Sequence, residues 1–535
     1  MIDPIKAGLA SGWRHIDAST FTRNHTVDTD VVIVGTGAGG GVSAELLSAA
    51  GLRVVMVEEG PLRSSTDFKM LEAVAYPDLY QDSAARKTAD KAINILQGRC
   101  VGGSTTVNWT SSFRTPSEVL DYWQRQFGLR SLTVEALIPW FALIEHKLSI
   151  RPWETPPNAN NQLLAVGGEK LSIPVGSIKR NVKGCWNLGY CGMGCPTNAK
   201  QSMLLTSIPA ALQRGATLYT RLRAERLRFA GNAVTTLDCQ ALQPDGLHLS
   251  GKRLQLRARH FIVAAGAIGS PALLLRSGVP DPQRLIGKRT FLHPVVISAA
   301  RMPNRVDAYA GAPQTLYSDH FLHQAPIDGP LGFKIESAPL HPVLFSTTLP
   351  GFGAAHQQVM GEFTHAQVLL ALLRDGFHPE SRGGQVRLAD DGSPVLDYPL
   401  NETIWEAARR ALLAMAEIQF AAGARSVTPV HELANAYANW TEAKPAITAL
   451  PLKPLVCRVV SAHVMGGCGM ADSAQRGVVD HRGRHFWLEN LTVNDGSLLP
   501  TSLGANPQLT IYGLAARNAS LLAGELVSRT APALP

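Results

Sequence analysis

The chain has 535 residues, 45% hydrophobic and 17% charged, with 48 glycines and a net charge of +8. That length exceeds one compact core and points to two domains, or one large α/β domain with insertions, while the balance excludes a disordered chain. No apolar run approaches the roughly 18 residues of a membrane span, residues 1–30 lack the apolar core of a secretory signal, and no Lys/Arg block reads as a nucleic-acid patch.

The expected location is therefore cytoplasmic or peripheral to a membrane, where the basic charge suits an anionic surface. No nucleic-acid partner is expected.

In chain order, Val31–Val34 is a β-branched run, as in a strand buried on both faces. Gly35-Thr36-Gly37-Ala38-Gly39-Gly40 follows it, then a helix over Val42–Ala50 ended by Gly51, then a second buried strand over Val54–Val57. This is βαβ grammar and predicts a parallel sheet. The glycine turn fits G-x-G-x-x-G. Gly35 permits the tight turn, Gly37 lets a pyrophosphate approach the backbone, and Gly40 lets the helix pack on the strand. Glu58, at the end of the second strand, suits ribose hydroxyls and disfavours a 2′-phosphate. The turn alone does not separate FAD from NAD.

Further on, Arg221–Arg228, interleaved with Leu, reads as a strand with a solvated face. Phe261–Ala265 reads as another buried strand, followed by a helix over Pro271–Arg276. Between about 116 and 180, and from about 300 to 445, the pattern changes to scattered Pro and alternating segments, with helices expected over His365–Asp375 and Thr403–Ala421. The apolar stretch Ala366–Leu373 suits the lining of a lipophilic pocket or an ordinary core helix. These segments mark a second domain, inserted as 116–184 and 301–449. The dinucleotide-binding domain would then comprise 1–115, 185–300 and 450–535.

Four segments carry a family resemblance. Gly98–Asn108 (GRCVGGSTTVN) and Gly266–Gly278 (GAIGSPALLLRSG) resemble the two signatures of the glucose–methanol–choline (GMC) flavoprotein family. His378–Gly383 resembles a turn of its substrate domain, and Ala462–Asn518 its catalytic C-terminus. The resemblance spans Asp30 to about Leu526. It implies a Rossmann-like FAD-binding domain and an inserted α+β substrate domain on an antiparallel sheet. The implied reaction oxidises an alcohol CH–OH group to aldehyde or ketone, by proton abstraction and hydride transfer to flavin N5.

The resemblance also implies that Gly102, Gly103 and Asn108 flank the flavin, although Asn108 also suits a turn residue capping its own loop. Ala224 would contact the adenine. Asp495, Gly496 and Pro507 fall in the C-terminal part of the cofactor site, with a helix from Pro507 pointing its positive end at the flavin. No histidine lies in Gly98–Asn108, where some relatives attach the cofactor, so non-covalent FAD is expected.

In the same family context His463 would be the base and Asn506 the donor to the substrate oxygen. The pattern H-x-x-G-G-C with a later Asn-Pro resembles long-chain alcohol and cholesterol oxidases more than glucose oxidase. Neutral imidazole can take a hydroxyl proton, and an amide can donate without competing for it. The bland alternative is a buried structural histidine and a helix cap. His260, His293, His481 and His485 lack a motif context and read as structural or surface residues.

Seven cysteines occur, three of them as C-x5-C-x3-C-P at Cys185, Cys191 and Cys195. This resembles a segment that holds a 3Fe–4S cluster in FAD-dependent sugar dehydrogenases of the family. A packed loop of thiols, or one disulfide with a spare thiol, is the alternative. The expected partners are a small-molecule alcohol and an electron acceptor: quinone, cytochrome or oxygen. An NAD-linked Rossmann dehydrogenase explains only Gly35–Glu58, and a non-catalytic flavoprotein does not explain a retained His463.

Overall fold

The computed structural model describes residues 3–527; the outermost ends of the two terminal segments lie outside it. The expected βαβ unit is present. His25–Val34 and Val54–Val57 pair in parallel, with Val31 opposite Val54, and the last residues of both are buried. The connecting helix spans Ala38–Ala49, four residues longer at its start than expected. Glycines usually weaken a helix, but here close packing requires them. A Cβ on Gly39 would lie 1.6 Å from the Asn494 carbonyl oxygen, and one on Gly40 2.0 Å from that of Gly35.

These strands belong to an eight-stranded sheet ordered Arg14–Asp17, Thr217–Thr220, Val54–Val57, His25–Val34, Leu249–Val263, Ala233–Leu242, Leu222–Ala230. Leu491–Val493 adds beside the end of Leu249–Val263. The sheet is parallel through Leu249–Val263 and turns antiparallel beyond it. Helix Gly266–Ser277 leaves its centre, and helix Gln508–Val527 packs against Ala38–Ala49.

A second eight-stranded sheet, mostly antiparallel, runs Ile93–Ile95, Val459–Ser461, Val295–Arg301, Ala366–Leu373, Phe333–Ser337, Leu316–Ser318, Gly176–Ser177, with Ser426–Pro429 on the flank of Val295–Arg301. Helix Glu402–Ala421 buries Trp405, Ala408, Leu412 and Met415 against it. The architecture is thus α/β with an antiparallel second sheet, as expected. The expected helix over His365–Asp375 is not formed. Ala366–Leu373 is a central strand with every residue buried. Eight residues, seven of them apolar, covered on both faces give no periodicity to separate strand from helix.

Side-chain packing also crosses the boundaries drawn from composition. Helices Ser117–Phe127 and Val134–Lys147 bury Trp123, Phe141 and Ile144 in the core of the first sheet, while Ile93 and Ile95 pack in the core of the second.

Candidate functional site

Between the two sheets lies a cavity of about 700 Å³. At one end it is walled by Gly35, Gly37, Glu58 and Ala224; at the other by His463, Asn506, Pro507 and Gly496. Gly103 and Asn108 line its middle and Asp495 reaches it from the helix Gly266–Ser277 side. Gly40 and Gly102 stand behind the wall. Gly40 lets the helix meet the strand, and Gly102, at φ +89°, donates its N–H to Thr36 Oγ1 at 3.0 Å.

Local chemistry explains the cradle. Gly37 opens the helix Ala38–Ala49 with no side chain capping its N–H groups, and a Cβ there would meet nothing within 4 Å. That leaves a positive helix end facing open space. Glu58 is buried. One carboxylate oxygen accepts from Thr36 N (3.2 Å) and Thr36 Oγ1 (2.6 Å), the other from Gly60 N (3.0 Å). Burial pushes its pKa above the ordinary value, and its bonds oppose that only in part. Beside it, Glu59 accepts from both Arg99 and Arg223; burial raises Glu59, but the two guanidiniums outweigh it and hold the carboxyl low. Both arginines line the cavity. Sequence reasoning missed this trio, whose members are far apart in the chain.

Asn108 Oδ1 accepts from Thr110 N at 3.2 Å, as in a turn, while the residue lines the cavity and donates from Nδ2 to Gln508 Oε1 at 2.8 Å. Asp495 is spent internally, accepting from Gly266 N, Ser270 Oγ, Ser497 N and Ser497 Oγ. It ties the second signature to the C-terminal segment.

At the far end His463 Nε2 and Asn506 Nδ2 are 3.5 Å apart. Behind Asn506 lie two residues that the sequence did not single out. Lys334 Nζ donates to Asn506 Oδ1 at 3.2 Å, Asn506 Nδ2 reaches Glu336 Oε2 at 3.4 Å, and Lys334 pairs with Glu336 at 3.2 Å. Burial, then the nearby Lys334 charge, depress His463 to about 3. Burial likewise lowers Lys334 to about 8. His293, expected to be structural or on the surface, is buried and its Nδ1 lies 3.2 Å from His463 Nδ1. Around this end, Val295, Leu370, Leu372 and Val464 give an apolar lining.

The cysteines do not form the expected cluster site. Among the described residues no three His, Cys, Asp or Glu side chains are grouped to hold a metal ion. Each thiol is engaged locally: Cys185 with Asn187 N, Cys191 with the buried Arg180 guanidinium, Cys195 with Thr197. Lys200 donates to the carbonyls of Thr106, Asn108 and Cys191, so the segment braces the cavity wall.

The family models for GMC oxidoreductases match residues 76–295 and 379–515. A GMC-type oxidoreductase of Mycobacterium tuberculosis is 31% identical over 504 residues, covering 93% of this chain and 76% of the relative.

The chain belongs to the GMC oxidoreductase family.

A GMC-type oxidoreductase of Sinorhizobium fredii is 28% identical, with 92% of this chain and 94% of the relative covered. A long-chain-alcohol oxidase of Arabidopsis thaliana is 26% identical over 92% of this chain, which spans 66% of the plant protein. Pyridoxine 4-oxidase has the same fold, with a TM-score of 0.69 at 21% identity, covering 92% of this chain and 98% of that one. This GMC chain is an oxidoreductase, and among the described residues no helix is long and apolar enough to cross a membrane.

Proposed function

We propose that the protein oxidises the CH–OH group of an apolar alcohol with non-covalently held FAD. The observation that carries this reading is the meeting of His463 Nε2 and Asn506 Nδ2, 3.5 Å apart, at the end of a cavity that begins at a dinucleotide cradle. The cradle fits the cofactor: uncapped N–H groups at Gly37 suit the pyrophosphate, Glu58 suits a ribose, and Ala224 borders the adenine end. Gly103, at φ +53°, brings its backbone close against the cradle, where a Cβ would fall 2.9 Å from Gly37 Cα. No histidine lies in the Gly98–Asn108 wall, which supports non-covalent binding.

FAD, when bound, supplies the two-electron acceptor for the hydride of the alcohol carbon. The chain's own residues hold the alcohol: the hydroxyl sits between His463 and Asn506, and its carbon chain lies on Leu370, Leu372 and Val464. Burial keeps His463 neutral at working pH. Its role then depends on which ring nitrogen carries the hydrogen. Oxygen is the proposed final acceptor, in keeping with the oxidases among the relatives; a quinone or cytochrome is the alternative.

The test is a panel of alcohols of rising chain length, assayed with oxygen and with an artificial dye. We expect aldehyde or ketone from apolar alcohols, and yellow protein that releases its flavin in acid. A colourless folded protein that binds NAD would refute the reading.

A further inference from the structure

Lys334 and Glu336 are charged residues on a strand, Phe333–Ser337, whose five residues are all buried. Side chains alternate along a strand, so the two share one face. The register says which face it is. Lys334 lies opposite Leu372 and Glu336 opposite Leu370, and both leucines line the substrate end of the cavity. Charge on a fully buried strand is costly unless it is paired. Here the two charges face each other at 3.2 Å, and what both of them touch is the Asn506 amide.

These contacts account for each polar atom of that amide. Oδ1 can only accept, and it meets Lys334 Nζ, which can only donate, at 3.2 Å. One hydrogen of Nδ2 is directed at the carboxylate oxygen Glu336 Oε2, 3.4 Å away. The other is left for the cavity, where it meets His463 Nε2 at 3.5 Å as an acceptor. Turning the amide over would set Nδ2 against the ammonium and Oδ1 against the carboxylate, and would present an oxygen to the cavity.

The hold comes from outside the segment that carries Asn506. That residue sits in a turn ahead of helix Gln508–Val527, whereas Lys334 and Glu336 stand on a strand paired with Ala366–Leu373. Lys334 is itself fixed, with Nζ 3.0 Å from the centre of the Phe113 ring and 4.6 Å from that of Tyr317.

We propose that Lys334 is a positioning residue: with Glu336 as its counter-charge, it holds the Asn506 amide so that Nδ2, and not Oδ1, faces the substrate oxygen. The inference rests on the alcohol-oxidation reading. In that reaction the O–H bond breaks and its proton passes to His463 Nε2. The carbinol hydrogen leaves with its electron pair as the hydride that bound FAD accepts, and the oxygen, negative in passing, ends as the carbonyl oxygen. An N–H aimed at that oxygen favours the charge it gains; an amide oxygen in the same place would repel it.

The test is a double-mutant cycle read by anaerobic flavin reduction with decanol. Glu336→Gln serves as the background, so that removing Lys334 strands no buried charge. There Lys334→Met should slow reduction by about 10-fold or more, because an amide free to turn presents its donor only part of the time. With Asn506→Ala added, the same Lys334→Met change should alter the rate by less than about twofold. No loss in the first background would overturn the proposal. So would losses of similar size in both, since Lys334 would then act by its own charge or by folding and not through Asn506.

A second measurement needs no turnover. Holoenzyme labelled with 15N-asparagine, its Asn506 signal assigned by Asn506→Ala, should give one sharp pair of side-chain NH2 protons in wild type and in Glu336→Gln. Adding Lys334→Met should split or broaden that pair; an unchanged pair would refute the proposal. A flavin that no alcohol reduces would refute the function and leave this spectrum to decide on Lys334.

Discussion

Replacing Asn506 with Ala removes the donor that shares the substrate oxygen with His463. The residue is 4% exposed, so no water-filled surface absorbs the change. Two consequences follow at different magnitudes. A preorganised donor aimed at an oxygen gaining negative charge contributes about 3–4 kcal/mol, so flavin reduction should slow by about 10²–10³-fold. Separately, Lys334 loses the acceptor at 3.2 Å and Glu336 the donor at 3.4 Å. Leaving a buried polar partner unmade costs about 1–3 kcal/mol, here moderated because Lys334 keeps Glu336 at 3.2 Å and the Phe113 ring at 3.0 Å. The melting temperature should therefore drop while FAD, whose pyrophosphate and adenosine are held at the other end of the cavity, stays bound. Anaerobic stopped-flow reduction and a thermal melt on the same holoenzyme separate the two. A reduction rate within about threefold of wild type would show that Asn506 does not touch the reacting oxygen and would refute the placement of the substrate.

Gly37→Val should leave the melting behaviour of the apoprotein unchanged, because φ is −69° and no protein atom lies within 4 Å of the added Cβ, yet abolish flavin retention on gel filtration. His260 is buried, and burial, then Arg484, lower it from 6.5 to about 3. Between those values the unfolded chain binds a proton that the folded chain does not. Stability contributed by this group is therefore full above the unfolded value and is lost as pH falls, by up to about 1.4 kcal/mol per pH unit. His260→Gln, which can keep the bond to Thr492, should make the fall in melting temperature on acidification shallower than in wild type; an unchanged slope would contradict this. Cys191→Ser should leave flavin reduction unaltered, and protein made under iron-replete, anaerobic conditions should carry no stoichiometric iron by elemental analysis.

The dinucleotide cradle was legible because its signals are local: a β-branched run, a glycine turn and an acid at the next strand end sit within 30 residues. His463 and Asn506 were legible only through family motifs, since one histidine among 16 carries no local signal. What escaped was assembled by topology. His293 reaches His463, and Lys334 reaches Asn506 across 172 positions, by strands that the second sheet brings together. Ala366–Leu373 was misread because burial on both faces erased its period, although Leu370 and Leu372 do line the cavity. The cysteine spacing was read correctly as a pattern, but spacing does not fix where thiols point. Arg180 opposite Cys191 is a contact that no spacing rule contains.

The central claim, that this chain passes a hydride from an alcohol carbon to FAD, is tested most directly by mixing the holoenzyme anaerobically with an apolar alcohol and with the same alcohol deuterated at the carbinol carbon. The account predicts that the yellow colour bleaches in a single turnover with one aldehyde or ketone formed per flavin, and that deuterium slows the bleaching. Flavin that stays oxidised with every alcohol, or bleaching at the same rate with the deuterated one when reduction limits the rate, would contradict it.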